Sequence, residues 1–160
     1  MFDQTIRKVM EKRKFLTISP GDTVSHASKL MRAANIGALL VVENGHLIGI
    51  FTERDALFRV MAQELDPATT LLLSVMTAEP ITLGPEKSYG HALLLMQENG
   101  FRHIPVIENG HPIGIVSSRN AMDPDLEELV WEVRRREHYR EARQSFVIKS
   151  VDIRHHKVTL

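Results

Sequence analysis

Two short segments of the chain carry a hydroxyl, a guanidinium and a carboxylate or amide at the same spacing. They are Thr52-Glu53-Arg54-Asp55 and Ser117-Ser118-Arg119-Asn120, each placed between a strand-like apolar run and a helix-like segment. A helix N-terminus presents free N–H groups and a positive dipole end to phosphate. There the hydroxyl and arginine can bind phosphate, and Asp55 can accept both hydroxyls of a ribose. This arrangement suits a mononucleotide.

The same residues also have an interpretation that needs no ligand. In a capping box, Thr52 would cap the helix and Asp55, three residues on, would reciprocate. On this segment alone the capping box is the simpler interpretation. The rest of the chain has to decide whether a nucleotide site is present as well.

The chain contains one sequence pattern twice. Residues 17–57 align without a gap with residues 82–122, and identical residues recur along the match, among them Gly49/Gly114 and Arg54/Arg119. Upstream of the aligned residues, the pair Val9-Met10 matches the pair Val75-Met76. The pattern indicates a tandem duplication followed by a unique tail.

Each copy predicts a strand, a helix, a two-stranded hairpin and a second helix. The predicted strands of the two copies are Phe15–Ile18 and Ile81–Leu83, Ala38–Val42 and Ile104–Ile107, and His46–Thr52 and His111–Ser117. Thr23 and Ser88 are expected N-caps, with Asn35 and Gly100 at the helix ends. The second helix of the first copy is expected over Glu53–Glu64. Asn44-Gly45 and Asn109-Gly110 predict hairpin turns, in which both residues take positive φ.

These elements predict an α/β (α+β) fold of two β-α-β-β-α repeats. One copy alone would expose an apolar sheet face, so we expect two copies to pack around a pseudo-twofold axis with clefts between them. We divide the chain into a first repeat with an N-terminal linker (1–66), a second repeat (67–122) and an extension (123–160). The extension predicts a helix and a strand. This helix is either exposed to solvent or forms a contact with a partner or a second copy of the chain.

On these features the chain resembles a tandem pair of CBS domains, the regulatory modules named after cystathionine β-synthase, over about residues 6–122. The resemblance rests on the repeat, the two Val-Met pairs, the Gly-x-x-[Ser/Thr]-x-x-Asp motif and the segment Arg102–Val106. It implies a regulatory module rather than an enzyme, without a catalytic cofactor. Such a module would bind an adenosine-containing ligand such as AMP, ADP or ATP in the clefts between the repeats and modulate a partner protein.

Residue by residue, the resemblance implies two candidate nucleotide sites. The first would hold phosphate or ribose through Thr52, Arg54 and Asp55, and would frame the adenine with Thr17, Ile18, Ala38, Leu39 and Leu40. The second would use Thr82, Ser117, Arg119 and Asn120, with His103, Ile104 and Pro105 as its adenine-framing strand. Arg102 and His103 would contact phosphate across the interface. Because an amide is a weaker acceptor than a carboxylate for a ribose diol, Asn120 makes the first site the expected one.

Composition excludes several other function classes. The 160 residues include 20 Lys plus Arg and 20 Asp plus Glu, so the net charge is zero. The chain contains no Cys. Neutrality argues against attraction to nucleic acid or anionic lipid, and the lack of Cys excludes thiolate chemistry. No apolar run is long enough for a membrane helix, and the N-terminus lacks a signal-peptide centre. We therefore expect a cytoplasmic protein. The eight histidines do not have the spacing of metal ligands, so we expect no metal site.

Two alternatives stay open at this point. The repeat pair could be a ligand-free scaffold for protein–protein interaction or dimerisation, or a sensor of S-adenosylmethionine or NAD. In every case we expect a homodimer. A regulated enzyme or transporter would be a separate chain.

Overall fold

The computed structural model of the chain describes residues 3–10 and 15–121. The helix and strand predicted for residues 123–160 lie outside the described residues. The elements of the first half are α1 (Ile6–Met10), β1 (Thr17–Ile18), α2 (Val24–Ala34), β2 (Ala38–Glu43), β3 (His46–Thr52) and α3 (Glu53–Asp55). Those of the second half are α4 (Leu72–Val75), β4 (Thr77–Ala78), α5 (Tyr89–Asn99), β5 (His103–Glu108) and β6 (His111–Ser117).

The described strands form two sheets, with orders β1-β2-β3-β4 and β5-β6. β1 is parallel to β2, whereas β2 with β3 and β3 with β4 are antiparallel. The two hairpins have matching registers, from Ala38↔Thr52 in the first and from His103↔Ser117 in the second. Each ladder also shifts register at the same place, at Val41/Val42 and at Val106/Ile107. The predicted α+β fold and its duplication are therefore confirmed.

The local signals in the sequence are confirmed. Asn44 and Gly45 have φ values of 50° and 81°, and the equivalent turn in the second repeat has 50° and 82°, as the hairpin turn requires. The side chains of Thr23 and Ser88 each accept a backbone N–H at the start of a helix. Asn35 and Gly100 end those helices in the left-handed conformation.

Two predicted elements differ from the structure. Only Leu83 of the strand predicted over Ile81–Leu83 pairs, through a single bridge to Val106, because Glu79 with positive φ and Pro80 turn the chain just before it. The helix predicted over Glu53–Glu64 is α-helical for three residues only. It continues as a π-helix over Ala56–Val60 and a 3₁₀-helix over Met61–Gln63.

Each repeat has its own hydrophobic core, and the short helices α1 and α4 cross over to complete them. Leu72 and Val75 of α4 lie in the first core with Val24, Leu39 and Phe51. Ile6 of α1 lies in the second core with Tyr89, Ile104 and Val116. The division into residues 1–66 and 67–122 follows the order of the sequence. The cores do not follow it, because α4 from the second range completes the first core and α1 from the first range completes the second.

The crossover is built from equivalent hydrogen bonds. The N–H of Leu72 donates to the carbonyl of Asp22 at 2.9 Å, and the N–H of Ile6 donates to that of Lys87 at 2.9 Å. The methionine at the end of each helix, Met10 as the last residue of α1 and Met76 just after α4, also has an equivalent position. A Cβ added at Gly114 would lie 2.7 Å from the Met10 Sδ, so a larger residue there would have to displace the methionine side chain that crosses the strand. Gly49 and Met76 have the same relation.

The two repeats meet through apolar side chains of their sheets. Ala38, Leu40 and Ile50 form a buried cluster to which Ile115 of the second repeat adds. At the hairpin tips, the equivalent rings of His46 and His111 stack with centroids 5.2 Å apart. Contact between equivalent residues is what a pseudo-twofold axis produces. None of the helices in the described ranges is long and apolar enough to cross a membrane.

Candidate functional site

A cavity of about 490 Å³ opens between the repeats. The first repeat lines it with Gly37, Ile50, Thr52, Glu53, Arg54, Asp55, Phe58 and Arg59. The connection between repeats adds Thr77, Glu79, Pro80 and Ile81, and the second repeat adds Asn99, Gly100, Phe101, Arg102 and His103. The predicted residues Thr52, Arg54, Asp55, Arg102 and His103 are therefore brought together in one place.

The capping box at the start of α3 is present. The Thr52 Oγ1 accepts from the N–H of Asp55 at 3.3 Å. In return, the Asp55 Oδ2 accepts from the Thr52 N–H at 2.9 Å and from its hydroxyl at 2.7 Å. Asp55 is only 7% exposed, yet it lines the cavity. The cap therefore holds the carboxylate in place at the edge of the cavity, and the two interpretations of this segment are compatible.

The second oxygen of Asp55 contacts two residues that sequence reasoning missed. The Thr77 hydroxyl donates to Oδ1 at 3.4 Å, and the Arg59 Nε lies 3.4 Å from the same atom. Arg59 also donates through Nη1 to the carbonyls of Val75, at 3.1 Å, and Met76. The available signal was the spacing of Asp55 and Arg59, which suits an ion pair on a helix.

The charged groups of the cavity are of both signs. Arg54 donates to the carbonyl of Gly100 at 2.6 Å and so links the repeats across the cavity. Arg102 is exposed and forms no ion pair within the part of the chain that the structure describes. Three carboxylates, those of Glu53, Asp55 and Glu79, balance the three arginines in number. An anion would therefore be held by individual donors rather than by an overall positive field.

His103 is neutral at physiological pH. Burial, with smaller contributions from the charges of Arg102 and Arg119 and against the opposing effect of Glu53, lowers its pKa to about 4. A neutral imidazole carries one N–H donor and one acceptor nitrogen. His103 can therefore donate to a phosphate oxygen without adding a positive charge.

Apolar side chains form the remaining walls. Phe58, on the π-helix, is 57% exposed, and Ile81 is 44% exposed, although both are large hydrophobic residues. They line the same cavity as Pro80 and Phe101. Exposed apolar surface inside a concave site is typical of a slot for a flat, weakly polar group. Sequence reasoning did not place these residues at a site, and it assigned Phe58 only to the helix expected over Glu53–Glu64.

The adenine-framing residues predicted for the first site do not line this cavity. Leu39 and Leu40 are fully buried in apolar clusters, and Ile18 lies in the first core. Ala38 belongs to the cluster between the repeats, and Thr17 is exposed on β1. The sheet order gives the physical reason: β1 pairs with β2, whereas β4 pairs with β3, whose end carries Thr52. The segment after β4 therefore lines this cavity, and the adenine-framing role of Thr17, Ile18, Ala38, Leu39 and Leu40 stays a prediction.

The residues predicted for the second site stay a prediction. Ile104 and Pro105 are fully buried, Ser117 is nearly so, and Thr82 is half-buried. Arg119 lines a separate groove of about 400 Å³ with residues of α2 and the π-helix. Asn120 belongs to a 3₁₀ turn over Ser118–Ala121, and its side chain lies outside the described residues. Residues 11–14 also lie outside the described residues. By the repeat, they are close to the equivalent of the segment that follows β4.

Within residues 3–10 and 15–121, no three His, Asp or Glu side chains are placed to hold a metal ion. The paired repeats, the crossed helices and the lined cavity instead define a tandem α+β module with a ligand cleft. This is the class of protein that the resemblance implied.

Comparisons with known proteins establish the family. The model of the CBS domain matches residues 6–62 and 72–125, so the chain belongs to the CBS domain family. The chain is 37% identical over 115 residues to the CBS domain-containing protein CBSCBSPB2 of Arabidopsis thaliana, a match that covers 71% of this chain and 21% of that protein. The chain thus spans about a fifth of the length of this relative. CBS domain pairs are regulatory ligand-binding modules.

Solved structures show the same fold. A protein with CBS domains from Burkholderia ambifaria is 34% identical with a TM-score of 0.70, over 73% of this chain and 90% of that one. A CBS domain pair solved with 5′-methylthioadenosine and S-adenosyl-L-methionine has a TM-score of 0.66 over 74% of this chain and 92% of that one. At 22% identity, this second likeness concerns the fold alone.

Proposed function

We propose that this chain is a regulatory module that binds an adenine nucleotide, AMP, ADP or ATP, in the cavity between its repeats. The observation that carries the proposal is the Asp55 carboxylate, fixed by the capping box at the edge of a cavity with donors on the opposite side. A carboxylate is the preferred acceptor for the two hydroxyls of a ribose. The module acts without catalysis, by changing its packing when the nucleotide binds.

The remaining walls suit the other parts of a nucleotide. The apolar slot of Phe58, Pro80 and Ile81 fits the faces of an adenine ring. Arg102 and His103, at the start of β5, are placed to donate to phosphate from the second repeat. The cavity volume is in the range of small-molecule sites in proteins. A nucleotide would thus contact both repeats at once, which gives it the means to shift one against the other.

The first testable prediction is that the two repeats differ in their contribution to binding. Asp55→Ala removes the ribose acceptor, so AMP binding should fall below detection in titration calorimetry. Asn120→Ala, at the equivalent position of the second repeat, should leave the affinity nearly unchanged. An Asp55 variant with wild-type affinity would overturn the assignment. Comparison of AMP, ADP and ATP on the wild-type chain identifies the preferred phosphate number.

A ligand-free scaffold is the second candidate function, and exposed apolar residues favour it. Leu57 and Met61 are exposed beside the groove that contains Arg119, which suits an interface with another copy of the chain or with a partner. Thermal-shift screening with AMP, ADP, ATP, NAD and S-adenosylmethionine separates the candidates. A uniform absence of shifts would favour the scaffold. A shift with NAD or S-adenosylmethionine alone would identify a different sensor.

The assembly and surroundings of the module belong to the same proposal. We propose a homodimer that regulates an enzyme or a transporter on a separate chain, in the cytoplasm. The mass of the particle in solution, measured by light scattering, tests the dimer directly.

A further inference from the structure

Both oxygens of the Asp55 carboxylate have partners in this structure. Its Oδ2 accepts the N–H and the hydroxyl of Thr52, and its Oδ1 contacts the Thr77 hydroxyl and the Arg59 Nε. Oδ2 thus accepts two hydrogen bonds, and Oδ1 accepts one hydrogen bond and has one ion-pair contact. A ribose diol that binds Asp55 through Oδ1 would compete with Thr77 and Arg59 for that atom.

The two oxygens differ in how easily they give up their partners. The contacts to Oδ2 are 2.9 and 2.7 Å long and belong to the capping box. Both contacts to Oδ1 are 3.4 Å long, near the limit for a hydrogen bond. The partners on Oδ1 are therefore the ones that a ribose would displace.

Those partners are also connected to the start of the second repeat. Arg59 holds the carbonyls of Val75 and Met76 through Nη1, and Thr77 is the first residue of β4. The segment that follows, Thr77–Ile81, lines the cavity through four of its residues and leads into the second repeat. A change at Oδ1 is thus transmitted directly to the connection between the repeats.

We propose that Arg59 and Thr77 form a latch on Asp55 Oδ1 that the ribose hydroxyls open, which couples occupancy of the cavity to the segment Val75–Ile81. Arg59 is the positioning residue of this latch, since it pairs with the carboxylate and also donates to the carbonyls ahead of β4. The inference rests on the proposed function, because it assigns the ribose to Asp55. The claim that Arg59 holds this segment in the free protein does not depend on the proposed function, because it rests on the contacts of Arg59.

Hydrogen exchange in the free protein tests the hold of the latch. β4 is bound to β3 through the pairs Gly49↔Ala78 and Ile50↔Thr77, and the Glu79 N–H donates to the carbonyl of Ile48. In Arg59→Met and Thr77→Val, amides of residues 77–79 should exchange about fivefold faster, the change that loss of one ordinary hydrogen bond produces. Arg59→Lys should be intermediate, and the control Arg32→Met, an exposed arginine on α2, should match the wild type.

Two ligands that differ only in the ribose hydroxyls test the opening. At equal occupancy, AMP should make residues 77–79 exchange about fivefold faster than 2′,3′-dideoxy-AMP does, because only AMP can displace both partners of Oδ1. In Arg59→Met this difference between the ligands should disappear. Equal exchange with the two ligands in the wild type would overturn the latch, as would Arg59→Met exchanging like Arg32→Met.

The failure of the proposed function gives a different pattern. If neither ligand binds the wild type, adenine nucleotide binding is wrong and the opening of the latch by ribose falls with it. The exchange of the free variants then still decides whether Arg59 holds the segment. If both ligands bind and only the exchange predictions fail, the nucleotide site stands and the latch is wrong.

Discussion

At the scale of single residues, the geometry around Asp55 explains how a structural cap can also serve a ligand. Its carboxylate is buried, fixed on one side by Thr52 and held loosely on the other by Thr77 and Arg59. Fixing a polar group before the ligand arrives lowers the entropy cost of binding. The weaker side leaves room for exchange of partners.

His103 provides a prediction about pH. Its pKa is lowered to about 4 in the folded protein from the ordinary value of 6.5. As the pH falls from about 6.5 to about 4, the unfolded chain takes up a proton that the folded protein excludes, so the stability contributed by the neutral form is lost over that window. The loss is up to about 3 kcal/mol, and it levels off below pH 4.

Urea unfolding at several pH values, on the wild type and on His103→Gln, measures this effect. Glutamine does not titrate, so the wild type should lose unfolding free energy relative to His103→Gln as the pH falls from 7 to 4. A difference that stays constant over the window would contradict the neutral, buried His103.

At the scale of the elements, the crossing of α1 and α4 makes each core depend on a distant segment. Ile6 and Leu72 are fully buried at equivalent places in the two cores. Arg7 strengthens the α1 contact through ion pairs with Glu86, at 2.8 Å, and Glu108. Residues 3–10 thus act as part of the second repeat.

Truncation of Ile6 tests this dependence. Ile6→Ala should lower the free energy of unfolding by about 2 to 5 kcal/mol, since it removes a buried side chain and leaves a cavity in the second core. Lys8→Ala, an exposed position on the same helix, should change it by less than about 0.5 kcal/mol. Equal, small effects of the two substitutions in chemical denaturation would show that α1 does not complete the second core.

The elements also show how far the sequence alone can lead. The hairpins at Asn44-Gly45 and Asn109-Gly110 and the caps at Thr23 and Ser88 were predicted correctly, because each depends on a few neighbouring residues. The wall formed by Thr77–Ile81 and the crossing of α1 and α4 were missed, because they depend on which strand lies beside β3. The π-helix that places Phe58 and Arg59 at the cavity left no periodic signal in the sequence. A local sequence pattern predicts a helix, a strand or a turn, but it does not say which distant element will lie beside it.

At the scale of the whole molecule, the duplication gives two similar halves that differ at a predicted site residue. The stacking of His46 on His111 and the matching ladder shifts show how closely the halves correspond. Asp55 and Asn120 show where they differ. A duplicated fold with one altered position can keep one cleft for a ligand while the other changes its preference.

Thermal unfolding links that asymmetry to the ligand. A nucleotide that binds only the folded protein adds about 2.7 kcal/mol of stability at a concentration 100 times its Kd. AMP should therefore raise the Tm of the wild type and of Asn120→Ala alike. The Tm of Asp55→Ala should not change with AMP, and an equal rise in all three proteins would place the ligand away from Asp55.

The most direct test of the central claim is a crystal structure of the chain grown with saturating AMP. The account predicts a nucleotide in the cavity between the repeats, with its ribose hydroxyls within hydrogen-bond distance of Asp55 and its base against Phe58 and Ile81. Density for AMP elsewhere, or an empty cavity at saturating ligand, would contradict it.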